Sequence, residues 1–348
     1  MPFNLANTKT IRSIQKGSFT FTGSNTTQND TIIAVIKNKS FLTFTYKNAL
    51  GGPMVPDSAM LRGRINTGTT LTFSRVLASV GNNITVFWSV IEFTAISNVT
   101  VQHGSETLTG TGNNVSLSAI NQSNAFPIIT WQVSGGLLGR QELVRAQITS
   151  TTNLALTVTG TTSCVVDWQV INNPHWDVTE YTDTMLATET NINKTITAID
   201  SAETMLIGSG SPTGGSGGLG GNAIPRFQIT SSTNINIVRT FANFQFAFIF
   251  YVIKTNGQVA VQRDITESIS NGTLTGTLAI ASVTLAKSVV ILQGITTFMP
   301  TNNSGTADNP NSMSIALEFN SSTEIGQSRL GSANQVLFAL EVWDFSNT

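Results

Sequence analysis

LRGRINTGTTLTFSR, residues 61–75, decides the fold, because the chain repeats it. It returns as LVRAQITSTTNLALTV at 143–158, as IPRFQITSSTNINIVR at 224–239 and, more diverged, as SIALEFNSSTEIGQSR at 314–329. The four stretches align without an internal gap. Arg62, Arg145 and Arg226 fall in one column, broken by Ala316. Leu71, Leu154, Ile235 and Ile325 fall in a second. Arg75, Arg239 and Arg329 share a third, where the second copy has Val158.

The flanking sequence repeats in the same order. An aromatic segment closes each copy: VFWSVIEF at 86–93, VVDWQVIN at 165–172, FIFYVIK at 248–254 and FALEVWDF at 338–345. A β–turn–β segment lies upstream, as in TIIAVIKNKSFLTF at 31–44, and each copy opens on a short strand: RSIQKG at 12–17, VTVQHG at 99–104, VTEYTD at 178–183 and VAVQRD at 259–264. A period of about 80–90 residues is too long for most solenoid repeats and makes each unit a small domain. The expected modules are 1–95, 96–175, 176–256 and 257–348.

Each copy reads as six strands, which in the first copy run near 11–22, 30–37, 40–47, 59–66, 69–77 and 84–93. Many alternate apolar and polar residues, the pattern of a half-buried strand. The stretch 31–36 alternates poorly and reads as buried on both faces. Gly, Asn, Ser and Pro in the links, such as Asn66-Thr67-Gly68, supply hairpin turns. The expected fold is all-β: four tandem antiparallel β-sandwich modules of about six strands each.

Composition agrees. Charged residues make up 11% of the 348, against about 25% in an ordinary globular chain, and Thr, Ser, Asn and Gly take their place. A net charge of −1 gives no basic excess for phosphates, so no nucleic-acid partner is expected. The N-terminal stretch has no apolar h-region, no run approaches the ~20 apolar residues of a membrane helix, and the single Cys164 builds no disulfide framework. These features predict cytoplasmic synthesis, with no signal peptide and no membrane span.

Chemistry-bearing motifs are sparse. The two histidines, His103 and His175, occupy different places in their copies, so His103 reads as a solvated turn residue and His175, in NNPHWD, as part of a packed linker. Cys164 shares a face with Val166 and Trp168 and reads as a small core residue. The aspartates form no D-x-D-x-D-G calcium loop, and the glycine run at 214–221 lacks the GK[ST] ending of a P-loop. Glu92, Glu106, Glu142 and Glu180 are joined by no motif. No catalytic residue, cofactor or metal site is expected, and the chain is read as a non-enzyme.

The arginine columns, Arg62, Arg145 and Arg226 with Arg75, Arg239 and Arg329, are the most specific polar signal. A strand arginine at a repeated position can pair with a carboxylate, hold a backbone carbonyl between modules, or bind a sugar hydroxyl or acidic ligand; in a chain this poor in charge the structural role is favoured. Trp88, Trp168, Phe250 and Trp343 of the closing strands are expected in the core, and Trp131, with no aromatic equivalent in other copies, marks an interface. The connection between third and fourth strands varies most: LGGPMVPD at 50–57, the glycine-rich 208–222 and 299–311. Variable loops on a constant scaffold are the usual seat of recognition.

An opening Ile14-Gln15-Lys16-Gly17 or Val101-Gln102-His103-Gly104, followed five strands later by Trp88-Ser89-Val90 or Trp168-Gln169-Val170, resembles modules of tailed-bacteriophage virion proteins. In those proteins a segment like LVRAQITSTTNL lies between the two marks. The likeness spans 11–345 as a loose pattern, and it is distantly similar to H-type lectin domains, six-stranded sandwiches that form trimers and bind sugars. In the later copies Glu180-Tyr181-Thr182 replaces V-Q-x and Asp264 replaces the glycine. The resemblance implies a virion component of tail, baseplate, fibre or capsid surface. Other virion proteins and further copies of the chain are its implied partners, assembled in the host cytoplasm. A receptor-binding protein that recognises a host-surface glycan is the alternative.

Overall fold

The computed structural model describes the chain apart from residues 1–9, 50–55, 111, 135–141, 161–162, 214–223, 241, 243, 270–274, 299–313, 330–334 and 348. The first module contains β1 (Ile11–Phe21), β2 (Thr27–Thr31), β3 (Ser40–Asn48), β4 (Arg62–Thr67), β5 (Thr70–Ser74) and β6 (Ile84–Phe93). The second contains β7 (Thr100–Leu108), β8 (Gly112–Ser116), β9 (Ala125–Val133), β10 (Arg145–Ser150), β11 (Asn153–Thr157) and β12 (Cys164–Asn172). The third contains β13 (Asp177–Met185), β14 (Asn191–Thr195), β15 (Thr204–Pro212), β16 (Arg226–Ser231), β17 (Asn234–Val238) and β18 (Phe246–Lys254). The fourth contains β19 (Ala260–Ile269), β20 (Thr275–Ala279), β21 (Ser288–Phe298), β22 (Ala316–Ser321), β23 (Glu324–Ser328) and β24 (Gln335–Asp344). Each module pairs two three-stranded antiparallel sheets, first–sixth–third and second–fifth–fourth, as in β1-β6-β3 and β2-β5-β4.

Local chemistry repeats as faithfully as the topology. The hairpin between fourth and fifth strands carries the same register shift in all four copies, at Ile65/Thr67, Ile148/Ser150, Ile229/Ser231 and Phe319/Ser321. At each, a hydroxyl accepts from the backbone N–H two residues on: Thr69 to Thr67, Thr152 to Ser150, Thr233 to Ser231 and Thr323 to Ser321. A short hydroxyl side chain closing its own turn is the reason Ser and Thr hold that position.

The opening Gln and Gly have equally concrete roles. Gln15 donates to the Ile33 carbonyl and accepts from the Ile33 N–H, both at 2.8 Å, tying the inner sheet to the link that follows β2. Gln102 does the same with Ser118, and Gln262 with Ala281. Gly17 pairs with Trp88, and a Cβ there would lie 2.4 Å from the indole; at Gly104 it would lie 2.2 Å from Trp168. The glycine exists so that the indole can lie across the strand.

The third copy solves the same problem with other residues, and it shifts the alignment. Its register places Val178 beside Ile253, as Val101 sits beside Ile171, so Tyr181, not Asp183, stands at the glycine position. Tyr181 stacks on Phe250 at 5.2 Å, and its hydroxyl accepts from Thr197 N–H, replacing the missing glutamine.

The second strand begins earlier than its sequence suggested: β2 is the polar TQNDT at 27–31. Residues 32–36 form a bent link instead. Ile32 and Val35 turn into the core, while Ile33 is 79% exposed.

The sixth strands are covered on both faces. In β6 the residues Ile84, Val86, Trp88 and Val90 fill their own module, and Ile91 and Phe93 face the other way. That second face meets its equivalents from every module in one shared cluster. Phe41, Phe126, Met205 and Val289, each the second residue of a third strand, meet there with Ile91, Ile171, Ile253 and Trp343 of the sixth strands. Trp168 and Phe250 occupy their own modules' cores as expected; Trp343 departs, lying three residues beyond the equivalent Leu340 and so on the shared face. Four module cores thus surround a fifth, common one.

The modules close into a ring. The fourth strand of each packs on the inner sheet of the next: β4 on β9 and β12, β10 on β15 and β18, β16 on β21 and β24, and β22 on β3 and β6. The last contact joins the fourth module back to the first.

Candidate functional site

The two arginine columns do different work. Arg75 is 2% exposed, and its guanidinium donates to the carbonyls of Asn25, Ser58, Asn82, Thr22 and Gly23 while lying over the Phe21 ring. Arg239 donates to Glu189, Leu186 and Phe244 carbonyls, with its guanidinium 4.4 Å from the Phe244 ring. Burial lowers the Arg75 and Arg329 pKa values. The Arg75 and Arg239 cations are solvated by backbone carbonyls rather than by water, and they fasten the turn after the first strand to the segment after the fifth. In the second copy Val158, fully buried, fills the place as an apolar plug.

The other column lies at the seams. Arg62 Nη1 donates to both oxygens of Asp167 in the next module, at 2.7 Å each. Asp167 is 4% exposed and also lies 3.6 Å from Arg64. Arg145 faces the Glu180 charge across the second seam, and Arg226 opens β16, the strand that forms the third; burial lowers the pKa of both.

Hydroxyls staple the same seams. Thr130 Oγ1 accepts from Gly63 N–H at 3.1 Å and donates to its carbonyl at 3.2 Å. Thr45 does both for Leu317, and Ser209 accepts from Ala146 N–H. All three occupy the sixth position of their third strand, and each grips the second residue of the preceding module's fourth strand. Two buried side chains add to this. Gln169 exchanges two hydrogen bonds with the Leu42 backbone at 2.7 and 2.9 Å. Glu341 accepts from Leu206 N–H, Gln293 and Trp343 and lies 3.7 Å from Arg263; burial raises its pKa despite these partners. Of these residues the sequence marked only Gln169, as the middle of the Trp168-Gln169-Val170 motif and without a role of its own. The Thr45/Thr130/Ser209 column was visible only as three hydroxyls among many.

Position before the opening glycine is also a seam position. Lys16 reaches the Leu285 carbonyl and the Phe319 ring, His103 Nε2 donates to the Lys37 carbonyl at 3.0 Å, and Glu180 accepts from Gln147 at 2.7 Å. His103 is therefore no solvated turn residue: burial depresses its pKa to about 4. His175 hydrogen-bonds the Ser97 carbonyl, and its neighbour Trp176 is fully buried in the shared core. Cys164 is a buried core thiol whose pKa burial pushes up to about 12. Among the described residues no three His, Cys, Asp or Glu side chains gather to hold a metal ion, and no helix is long and apolar enough to cross a membrane.

Above the shared core the third strands line an axial cavity of about 330 Å³. Residues from all four modules form its wall, among them Thr43, Ile128, Ile207 and Ile291, which stand one layer beyond the core residues on the same strands. Trp131 also lines it, packed against the second and third module cores. Since every third strand starts at the shared core, every connection to the fourth strand leaves from the far end, where Met60, Leu143 and Ile224 rim the cavity. Of the variable connections, Gly208–Pro212 belong to β15, while 50–55, 214–222 and 299–311 lie outside the described residues.

No protein-family model and no curated protein matches the chain in sequence.

Proposed function

We propose that the chain is a structural component of a bacteriophage virion, of the tail, baseplate, fibre or capsid surface, and that it acts through protein–protein assembly. The ring closed about a common apolar core is the observation that supports this most directly. Every module is locked by backbone-directed hydrogen bonds on both sides, which makes the unit a rigid block rather than a flexible string. Low charge suits packing against neighbouring subunits, since charged side chains are depleted at the centre of interfaces. The resemblance of the opening and closing motifs to virion modules points the same way.

The experiment is a projection image of particles purified from a producing host and labelled with an antibody to this chain. Label at the tail, tail tip or shell is expected, and particles that carry none overturn the proposal.

A second reading, receptor binding to a host-surface glycan, is favoured by all four third strands ending on the same side of the ring, away from the shared core. It requires label at the distal tail tip and saturable glycan binding by the purified protein. Label confined to the shell rejects it.

A further inference from the structure

We propose that the axial cavity is a binding site for one small uncharged amphiphile: a hydrocarbon body bearing a single hydrogen-bond-accepting oxygen. The size comes first. About 330 Å³ is at the lower edge of the range in which small-molecule sites fall, and it suits a medium-length chain rather than a peptide or an oligosaccharide.

The lining sets the chemistry. Leu42, Ile128, Ile207, Val290 and Ile291 offer hydrocarbon surface on several sides. Among the described residues of the wall there is no Asp, Glu, Lys, Arg or His, so these offer no partner to a carboxylate or ammonium stripped of its water. Most polar side chains of the wall are already engaged. Thr45, Thr130 and Ser209 grip fourth-strand backbones, the Tyr251 hydroxyl accepts from Ile148 N–H at 3.0 Å, and Gln293 bonds Glu341.

One wall group is different. The Trp131 indole N–H is buried and has no hydrogen-bond partner among the described residues, alone in this among the buried side-chain N and O atoms of the wall. A buried donor without an acceptor is costly and uncommon, and a small turn of the indole would bring it to a ligand oxygen in the cavity. A hydroxyl, ether or ester oxygen meets that need without bringing charge.

The contrast with the other end of the axis supports a cavity kept open. There the same four strands pack Phe41, Phe126, Met205 and Val289 into a solid layer with Trp176 and Trp343.

The test uses the full chain, with 1-decanol and decanoate as probes at pH 8, read by calorimetric titration and by thermal melting. Decanol is expected to bind saturably at one per chain and to raise Tm, with decanoate at least ten-fold weaker. Trp131→Phe keeps the apolar wall and removes the N–H, so decanol affinity should fall about five-fold, the size of one hydrogen bond. Ile207→Phe, or Thr43→Ile should that variant not fold, narrows the cavity and should abolish binding. Absence of saturable decanol binding to the wild type overturns the proposal, as does equal affinity for decanoate, unchanged affinity in Trp131→Phe, or unchanged binding in a folded cavity-filling variant.

Discussion

Arg75 and Arg62 both recur at fixed places in the repeat, yet one works inside its module and the other between modules. Arg75 sits in its own module, bonded to no carboxylate among the described residues and held by carbonyls from three surrounding segments. Arg62 pairs with a carboxylate on the neighbouring module. Repetition alone therefore does not reveal a residue's task; its strand position does. A residue just past the fifth strand closes the loops of one sandwich, whereas the first residue of the fourth strand lies against the next. The two columns also tolerate loss differently. Val158 replaces the inner arginine with an apolar side chain that needs no partner, and Ala316 replaces the seam arginine where the ring returns to the first module.

The strongest test of this contrast is Arg239→Met. It strips several buried carbonyls of their donor at once, and unfolding free energy should fall by about 3–5 kcal/mol. Denaturant titration reads it directly. A loss below about 1 kcal/mol would mean that water replaces the guanidinium, and the inner column would then be no more than a surface feature. At the seam, Asp167→Ala leaves the largely buried Arg62 without its carboxylate and should cost about 3 kcal/mol, much of it the penalty of the unpaired cation. The double variant Arg62→Met with Asp167→Ala should recover most of the loss. If the two single losses simply add, the pair is not coupled and the seam is held by the staples alone.

Much of the module was legible in the sequence because a strand's alternation is imposed by the pleat itself. The aromatic closing strands, the hairpin at Asn66-Thr67-Gly68 and the core place of Cys164 all follow from period-2 patterning and turn chemistry. Errors arose where a side chain could do the job of another. Tyr181 fills the space of a glycine–tryptophan pair and the role of a glutamine, so matching letters slipped the third copy by two residues. The apolar run Ile32–Ile36 resembled a strand because two of its residues reach the core from a bent link, while the true strand β2 is polar and lies at a sheet edge. The ring had one sequence signature: closing strands such as FAFIFYVIK, apolar on both faces, require a second cover. Nothing in the letters said that the cover was the other three modules. The candidate site was harder still, since the cavity and its Trp131 donor arise from strands about eighty residues apart, and Trp131 showed only that some interface existed.

Acid should weaken one seam selectively. The His103 pKa is about 4 in the folded protein against 6.5 unfolded, so between these values the unfolded chain binds more protons. Its full contribution is present above pH 6.5 and is lost as pH falls toward 4. About 2 kcal/mol of stability should disappear over that window after allowance for partial exposure. His103→Gln can still donate to the Lys37 carbonyl and carries no titrating proton, so its stability should vary less with pH by that amount. Parallel curves for variant and wild type from pH 7 to 4 would remove His103 from the seam's energetics.

The smallest effect isolates the staple. Thr45→Val preserves shape and removes one hydroxyl that serves both the N–H and the carbonyl of Leu317, leaving two buried backbone groups without that partner. A loss of about 1–2 kcal/mol is expected. The same substitution at Thr130 should cost a similar amount, because the two hydroxyls hold equivalent places on opposite sides of the first module, one toward the fourth module and one toward the second. Only the first of these seams joins modules far apart in sequence. Equal losses at both would show that the closing seam is as well made as one between consecutive modules. A negligible loss at Thr45 beside a full loss at Thr130 would instead describe a ring that opens between its first and last modules.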